Sequence, residues 1–233
     1  MSWRTHRLVV TLRSMGRALG LNRWIAARLP AGGGYEARYD SGFSGGLRPG
    51  DHVWDVGANV GYYTRLFAGR VGEQGHVFAF EPSPTNFQRL ATASAGLRNV
   101  TLRACGLGRE DGKLRFQQGA DDLGATSRIV DSAADGIAVE IRSGASLLAG
   151  GEATLPHAIK IDVEGFELEV LEGMADYLRR PPLRMIGVEV HFGILKQRGM
   201  ALVPQQIESL LQRSGFAVSW LDSSHILAVR ATA

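Results

Sequence analysis

Four short apolar runs in this 233-residue chain end in an acid, at Asp55, Glu81, Asp162 and Glu189, and His191 follows the last of them by two residues. Carboxylates and an imidazole are the groups that orient hydroxyls and move protons. In an extended backbone, side chains two apart share a face, so Glu189 and His191 are expected together. An imidazole titrates near pH 6.5 when unperturbed, which makes His191 the expected general base, with Asp162 and Glu189 orienting it or the acceptor. The same groups carry plainer readings. Glu164 and Glu167 open a helical stretch, where negative charge favours the helix dipole, and Lys160 is placed to pair with a carboxylate. Asp162, Glu164, Glu189 and His191 also form a set that could bind magnesium and acidify a hydroxyl, though nothing in the sequence requires a metal.

The run ending at Asp55 leads into Asp55-Val-Gly57-Ala58-Asn59-Val60-Gly61-Tyr62-Tyr63-Thr64. Glycines there let the backbone turn tightly and approach a ligand at a helix N-terminus. The pattern is not the dinucleotide G-x-G-x-x-G, because Asp55 stands where its first glycine would be. A carboxylate in that place repels a pyrophosphate and suits the ammonium of S-adenosylmethionine, directly or through water. Glu81 lies 20 residues beyond Gly61 (81 − 61), the spacing of a carboxylate that accepts hydrogen bonds from ribose hydroxyls, and Pro82 and Ser83 follow it. Cys105 follows the third run, where backbone groups meet an adenine; its thiol reads as inert packing.

These groups need a scaffold that gathers run ends along one edge. From residue 51 onward, apolar runs alternate with helical stretches: DHVWDV then YYTRLFAGRV, HVFAFE then PTNFQRLATASA, VTLRAC, HAIKID then FELEVLEGMADYL, and RMIGVEV then PQQIESLLQRSG. Strands alternating with helices imply a mostly parallel, doubly wound α/β sheet. FAVSWLD and HILAVRA, separated by Ser223 and Ser224, instead predict a C-terminal antiparallel hairpin. An insertion at 106–156 carries KLRFQQ and IAVEIR, which are expected to pair. Residues 32–46 are glycine-rich and link an N-terminal extension (1–46) to a domain over 47–233 through a short helix and loops.

The segments LRPGDHVWDVGANVGYYT, FAFEPSPTNF, IKIDVEGFELEVLEGM and IGVEVHFG resemble the successive motifs of the FkbM family of methyltransferases, over roughly residues 47–195. The resemblance implies a class I methyltransferase fold (Rossmann-like), S-adenosylmethionine as methyl donor, and O-methylation of a hydroxyl on a sugar or natural product, occasionally of a carboxylate. One motif departs. Where the family commonly carries an Asp in a stretch similar to T-L-D-x-L, this chain has Ser143-Gly144-Ala145-Ser146-Leu147. The rival readings are a nicotinamide-dependent oxidoreductase, opposed by Asp55 and the closing hairpin, and a donor-binding module without catalysis, opposed by Asp162, Glu189 and His191.

Composition narrows the class further. Hydrophobic residues make up 45% and charged residues 21%, an ordinary globular balance. The net charge of +3 is concentrated at the start: residues 1–35 hold six arginines and no acid, leaving 20 basic against 23 acidic residues beyond, a net of −3. That acidic remainder opposes nucleic acid as a partner and favours a small-molecule acceptor. Leu8, Leu12, Met15 and Leu19 recur at helical spacing between arginines, which predicts an amphipathic helix, a lid on the domain or a contact for a membrane surface or anionic partner through residues 1–30. No run is long enough for a spanning helix, and the early arginines interrupt any secretory signal. With one cysteine and no disulfide available, a cytoplasmic location is expected.

Overall fold

The computed structural model describes residues 37–117, 128–129 and 136–230. The amphipathic helix expected over 8–19, and the membrane or partner contact assigned to residues 1–30, lie outside them. Among the described residues no helix is long and apolar enough to cross a membrane.

Helix α1 (Ala37–Gly46) precedes strand β1 (His52–Val56), helix α2 (Tyr62–Val71), β2 (His76–Phe80), α3 (Pro84–Ala93) and β3 (Val100–Arg103). Four strands of the insertion follow: β4 (Gly106–Gly108), β5 (Gly112–Gln117), β6 (Arg128–Ile129) and β7 (Ile137–Ser143), then α4 (Gly144–Ala149). The chain returns through β8 (Ala158–Ile161), α5 (Glu167–Glu172), β9 (Met185–Glu189), α6 (Phe192–Gln197), α7 (Val203–Arg213), β10 (Ala217–Trp220) and β11 (His225–Val229). Seven strands form one sheet in the order β10-β11-β9-β8-β1-β2-β3. Five of them run parallel, and β11 pairs antiparallel with both β9 and β10. The doubly wound sheet expected from the alternation, with the closing antiparallel hairpin and the class I methyltransferase architecture that the resemblance implies, is the one found.

Side-chain alternation along the strands builds the two layers. Trp54, Phe80, Ile159 and Ile186 face α5 and α7, where Leu168, Leu171, Ile207 and Leu211 meet them. Val53, Val77, Ala158 and Met185 face the other way, against Tyr39 and Phe43 of α1 and Phe67 of α2. Helix α1 is therefore packed into the same core as this face of the sheet. Tyr39 and Phe43, one turn apart, are buried. Arg184 anchors the junction with a two-pronged bond to the Asp51 carboxylate at 2.6 and 3.0 Å and a third to the Gly46 carbonyl.

KLRFQQ and IAVEIR pair as expected, as β5 and β7 of a second sheet. Two expectations need adjusting. The stretch FELEVLEGMADYL is a six-residue α-helix followed by a 3-10 turn at Ala175–Tyr177, and between them Gly173 packs so close to the Gly108 carbonyl that a Cβ would come within 1.9 Å. The terminal hairpin turns through four residues, Leu221–Ser224, rather than two. Asp222 holds that wider turn by accepting from the backbone N–H groups of Ser224 and His225.

Candidate active site

The carboxyl ends of β1, β2, β8 and β9 lie side by side in the sheet, and the loops leaving them carry nearly all of the residues singled out by motif. At β1 the backbone of Gly57 (φ +78) turns back so that both Gly57 and Ala58 donate to the Phe80 carbonyl at the end of β2. A Cβ on Gly57 would stand 1.9 Å from the Asp162 carbonyl oxygen. Only glycine allows the ends of β1 and β8 to approach this closely. Asn59 (φ +50) and Gly61 (φ +89) complete the turn, and Gly61 opens α2.

Glu81 closes that loop. One oxygen accepts from the Asn59 N–H and the other from the Ser83 N–H, each at 2.8 Å. Burial pushes its carboxyl up to about 7, against the pull of those two N–H groups and of Lys160. Ser83 in turn caps α3 by accepting from the Asn86 N–H, and Pro82 packs over Gly106. Of the remaining turn residues, Tyr62 is exposed, while Tyr63 is buried and donates to Asp40 of α1. Cys105 is buried as expected, its thiol pushed up to about 11 by burial and the charge of Glu140.

Asp55, the residue expected to meet a ligand's ammonium directly or through water, lies inside the protein. Its carboxylate is wholly enclosed: Oδ2 accepts from Thr64 Oγ1 at 2.6 Å and Oδ1 lies 3.3 Å from the Lys160 ammonium. These two contacts tie the end of β1 to α2 and β8. Lys160, its register partner on β8, also reaches Asp162 at 3.4 Å and donates to the Gly57 carbonyl. The expected pairing of Lys160 with a carboxylate thus extends to the backbone of the glycine turn.

His191 gathers the acids of the IKIDVEG segment. Its Nδ1 lies 2.7 Å from Glu167 Oε1, while Nε2 lies 3.2 Å from Glu164 and 3.6 Å from Asp162. Glu167 is buried at the start of α5 and also accepts from the Gly165 N–H. Burial alone lowers an imidazole's pKa, but Glu164, Glu167 and Asp162 overcome this and push His191 up to about 10.

Glu189 does not join this group in the way a two-residue spacing predicts. The strand ends at Glu189, and the chain turns at Val190 so that His191 begins α6. Glu189 pairs with His225 at 3.5 Å, and Asp222 holds the other side of that ring at 2.8 Å. Three members of the site gave no signal in the sequence: His225, Asp222 and Tyr39. Tyr39 stacks on His225 with ring centroids 4.4 Å apart, and its hydroxyl lies over Gly187, where a Cβ would come within 2.3 Å. That hydroxyl is buried without a hydrogen-bond partner among the described residues. Burial and the charges of Asp162, Glu189 and Asp55 raise its pKa.

In place of T-L-D-x-L, Ser143 caps α4 by accepting from the Ser146 N–H. Asp111 from the insertion binds the Ser143 N–H, the Ser146 hydroxyl and Arg142.

Comparison with known proteins fits this geometry. The curated hexuronic acid methyltransferase AglP of Haloferax volcanii is 34% identical over 146 residues, 62% of this chain and 57% of that protein. The chain thus spans under two thirds of the length of this relative. The crystal structure of methyltransferase FkbM from Methylobacillus flagellatus KT superposes with a TM-score of 0.52 at 14% identity, over 93% of this chain and 60% of that one. A methyltransferase from Streptococcus mutans, solved in complex with SAH, gives 0.54 at 12% identity, over 86% of this chain and 100% of that one. Both share the fold. The profile of the methyltransferase FkbM domain matches residues 55–218, from the end of β1 into β10, and by that match the chain belongs to the FkbM methyltransferase family.

Proposed function

We propose that the protein is an S-adenosylmethionine-dependent O-methyltransferase acting on a sugar or sugar acid. The observation that carries this reading is the placement of two constellations on one sheet edge. The glycine turn with Glu81 sits at the ends of β1 and β2, and the acid–imidazole cluster of Asp162, Glu164 and His191 sits at the ends of β8 and β9. The first suits a nucleoside with a free ribose edge; the second suits an acceptor oxygen. Phe192, exposed beside His191, and Trp220 at the end of β10 lie 5.8 Å apart and offer an apolar face for a sugar ring. The 34% identity to a hexuronic acid methyltransferase supports that acceptor class.

In the reaction the acceptor oxygen attacks the sulfonium methyl carbon in line, the C–S bond breaks, and its electron pair returns to sulfur to leave S-adenosylhomocysteine. The O–H proton passes to the Asp162–Glu164–His191 cluster. The donor is already reactive, so alignment of the two substrates does most of the work. The relative's acidic sugar favours one further reading, a carboxylate acceptor, which needs no proton removed. The assay is incubation with labelled S-adenosylmethionine and a panel of hexoses and hexuronic acids, read by mass. An ether product survives mild alkali and an ester does not. Binding of NAD but not of S-adenosylhomocysteine would sink the proposal altogether.

Glu81 supplies a second test of the donor site. Ribose hydroxyls donate, so they favour the ionised carboxylate, and below a pKa of about 7 binding must first expel its proton. S-adenosylhomocysteine affinity is therefore expected to fall as pH drops through 7, approaching tenfold per unit. Glu81→Gln should flatten that dependence, and Glu81→Ala should weaken binding at pH 8 by about 1–3 kcal/mol. A pH-independent wild type with an unaffected Ala variant removes Glu81 from the ribose.

A further inference from the structure

We infer that His225 and Asp222 are positioning residues for the acceptor: they hold Glu189 so that its open oxygen accepts a hydrogen bond from a sugar hydroxyl other than the one methylated. Their role rests on the sugar methyltransferase reading above and extends it to the groups that select the substrate. His225 is the register partner of Glu189 across β9 and β11. Its Nε2 lies 3.5 Å from Glu189 Oε2, and the Asp222 carboxylate holds its Nδ1 at 2.8 and 3.0 Å. Burial alone would lower the pKa of this imidazole, but the bonds to Asp222 and Glu189 push it up to about 9, so both ring nitrogens carry protons toward their acids. Asp222 also accepts from the backbone N–H groups of Ser224 and His225, which ties the orientation of the ring to the turn itself. Tyr39 stacks on the ring, centroids 4.4 Å apart, and limits its rotation from the α1 side.

Exposure separates the residues that hold from the one that binds. The side chains of His225 and Asp222 are 2% and 10% exposed, whereas Glu189 keeps 17% open. The second carboxylate oxygen of Glu189 makes no hydrogen bond among the described residues, and it is not sealed off as Asp55 Oδ1 and Glu167 Oε2 are. Burial and Asp162 push this carboxyl up, yet the bond from His225 and the charges of His191 and His225 hold it below the usual carboxylate range. An ionised oxygen accepts from hydroxyls and repels other carboxylates, so the hydroxylated edge of an acidic sugar is the edge that fits against it. Trp220 leads directly into the turn that carries Asp222, and it pairs with Phe192. One hairpin therefore sets both an aromatic face for a sugar ring and the carboxylate for its hydroxyl.

The test is methyl-transfer kinetics of the full chain with labelled S-adenosylmethionine and, in turn, D-glucose, D-mannose, D-glucuronic acid and D-galacturonic acid. With the sugar turned over fastest, Glu189→Ala is expected to raise acceptor KM about 10–100-fold, the scale of a lost hydrogen bond to a charged group, with donor KM unchanged. His225→Leu should raise acceptor KM about tenfold, and His225→Gln, whose amide N–H can meet the same carboxylate, should recover most of that loss. Adding His225→Leu to Glu189→Ala should bring no further loss, because the ring acts through the carboxylate. Should His225→Leu not fold, Asp222→Asn takes its place, with the same rise in acceptor KM expected. Additive losses, a donor KM that rises in parallel and no recovery by Gln would show a merely structural ring and overturn the positioning role. An acceptor KM unchanged in Glu189→Ala overturns it as well and leaves the methyltransferase reading standing. No turnover of any of the four sugars rejects the sugar acceptor together with Glu189 as its anchor, and S-adenosylhomocysteine calorimetry on the same sample then decides whether the donor reading survives.

Discussion

Replacement of His191 by Ala is expected to lower kcat by roughly 10²–10⁴ while leaving S-adenosylhomocysteine affinity nearly unchanged. The imidazole makes the contacts that join the start of α6 to Glu164 and Glu167 among the described ion pairs, and none of its partners belongs to the glycine turn. Its loss leaves three carboxylates facing one another without the positive charge between them, so the acceptor oxygen loses both its alignment and its route for the proton. Asn keeps much of the shape and serves as the control. The measurement is steady-state methyl transfer beside donor calorimetry. Near-wild-type kcat would remove His191 from the chemistry, and with an alkali-labile product it would favour a carboxylate acceptor. Donor affinity falling in parallel with kcat would instead make His191 a support of the fold.

Gly57→Ala is expected to destabilise the protein by about 3 kcal/mol or more. A left-handed backbone costs an alanine about 1–2 kcal/mol. The larger effect is steric, since the new Cβ would overlap the Asp162 carbonyl oxygen at 1.9 Å, and backbone cannot swing aside as a flexible side chain does. For a chain of this size that loss corresponds to a Tm lower by roughly 6–12 °C. The strain falls on the seam between donor and acceptor halves, so donor affinity should drop with it. Calorimetric melting that matches wild type would show that the two strand ends can part without cost.

What the sequence reveals and what it hides divide along the reach of the contacts. Strands, helices and the Asp55–Glu81 relation follow from spacing within some twenty-five residues, and there the alternation of runs and the glycine turn are sufficient. Asp162, Glu164 and His191 are brought together because two adjacent parallel strands end at one edge, a regularity of the fold class that motif reading can use. Local spacing fails where the backbone changes type. Glu189 and His191 look like strand neighbours, yet the turn at Val190 sends one to His225 and the other to Glu167. Asp55 is legible as a carboxylate near a turn, but its burial behind Lys160 depends on register between β1 and β8, which only folding sets. Tyr39 comes from a helix before the first strand, and its place over Gly187 rests on contacts nearly 150 residues apart in the chain.

The reversed direction of β11 changes where a useful side chain must be sought. Glu81, Asp162 and Glu189 stand at or just past the last residue of their parallel strands, because those strands run toward that edge. β11 runs away from it, so its first residue, His225, occupies the position that Glu189 holds as the last residue of β9, and the register pairs the two directly. The same reversal lets β10 run forward again beside it, so Trp220 ends at that same edge. A crossover helix at this point would have used a dozen residues to place a single loop there. The tight turn instead supplies a ring, its anchoring Asp222 and an aromatic wall from six consecutive residues. In a sheet of mixed polarity, the chemistry of the odd strand is therefore written at its beginning.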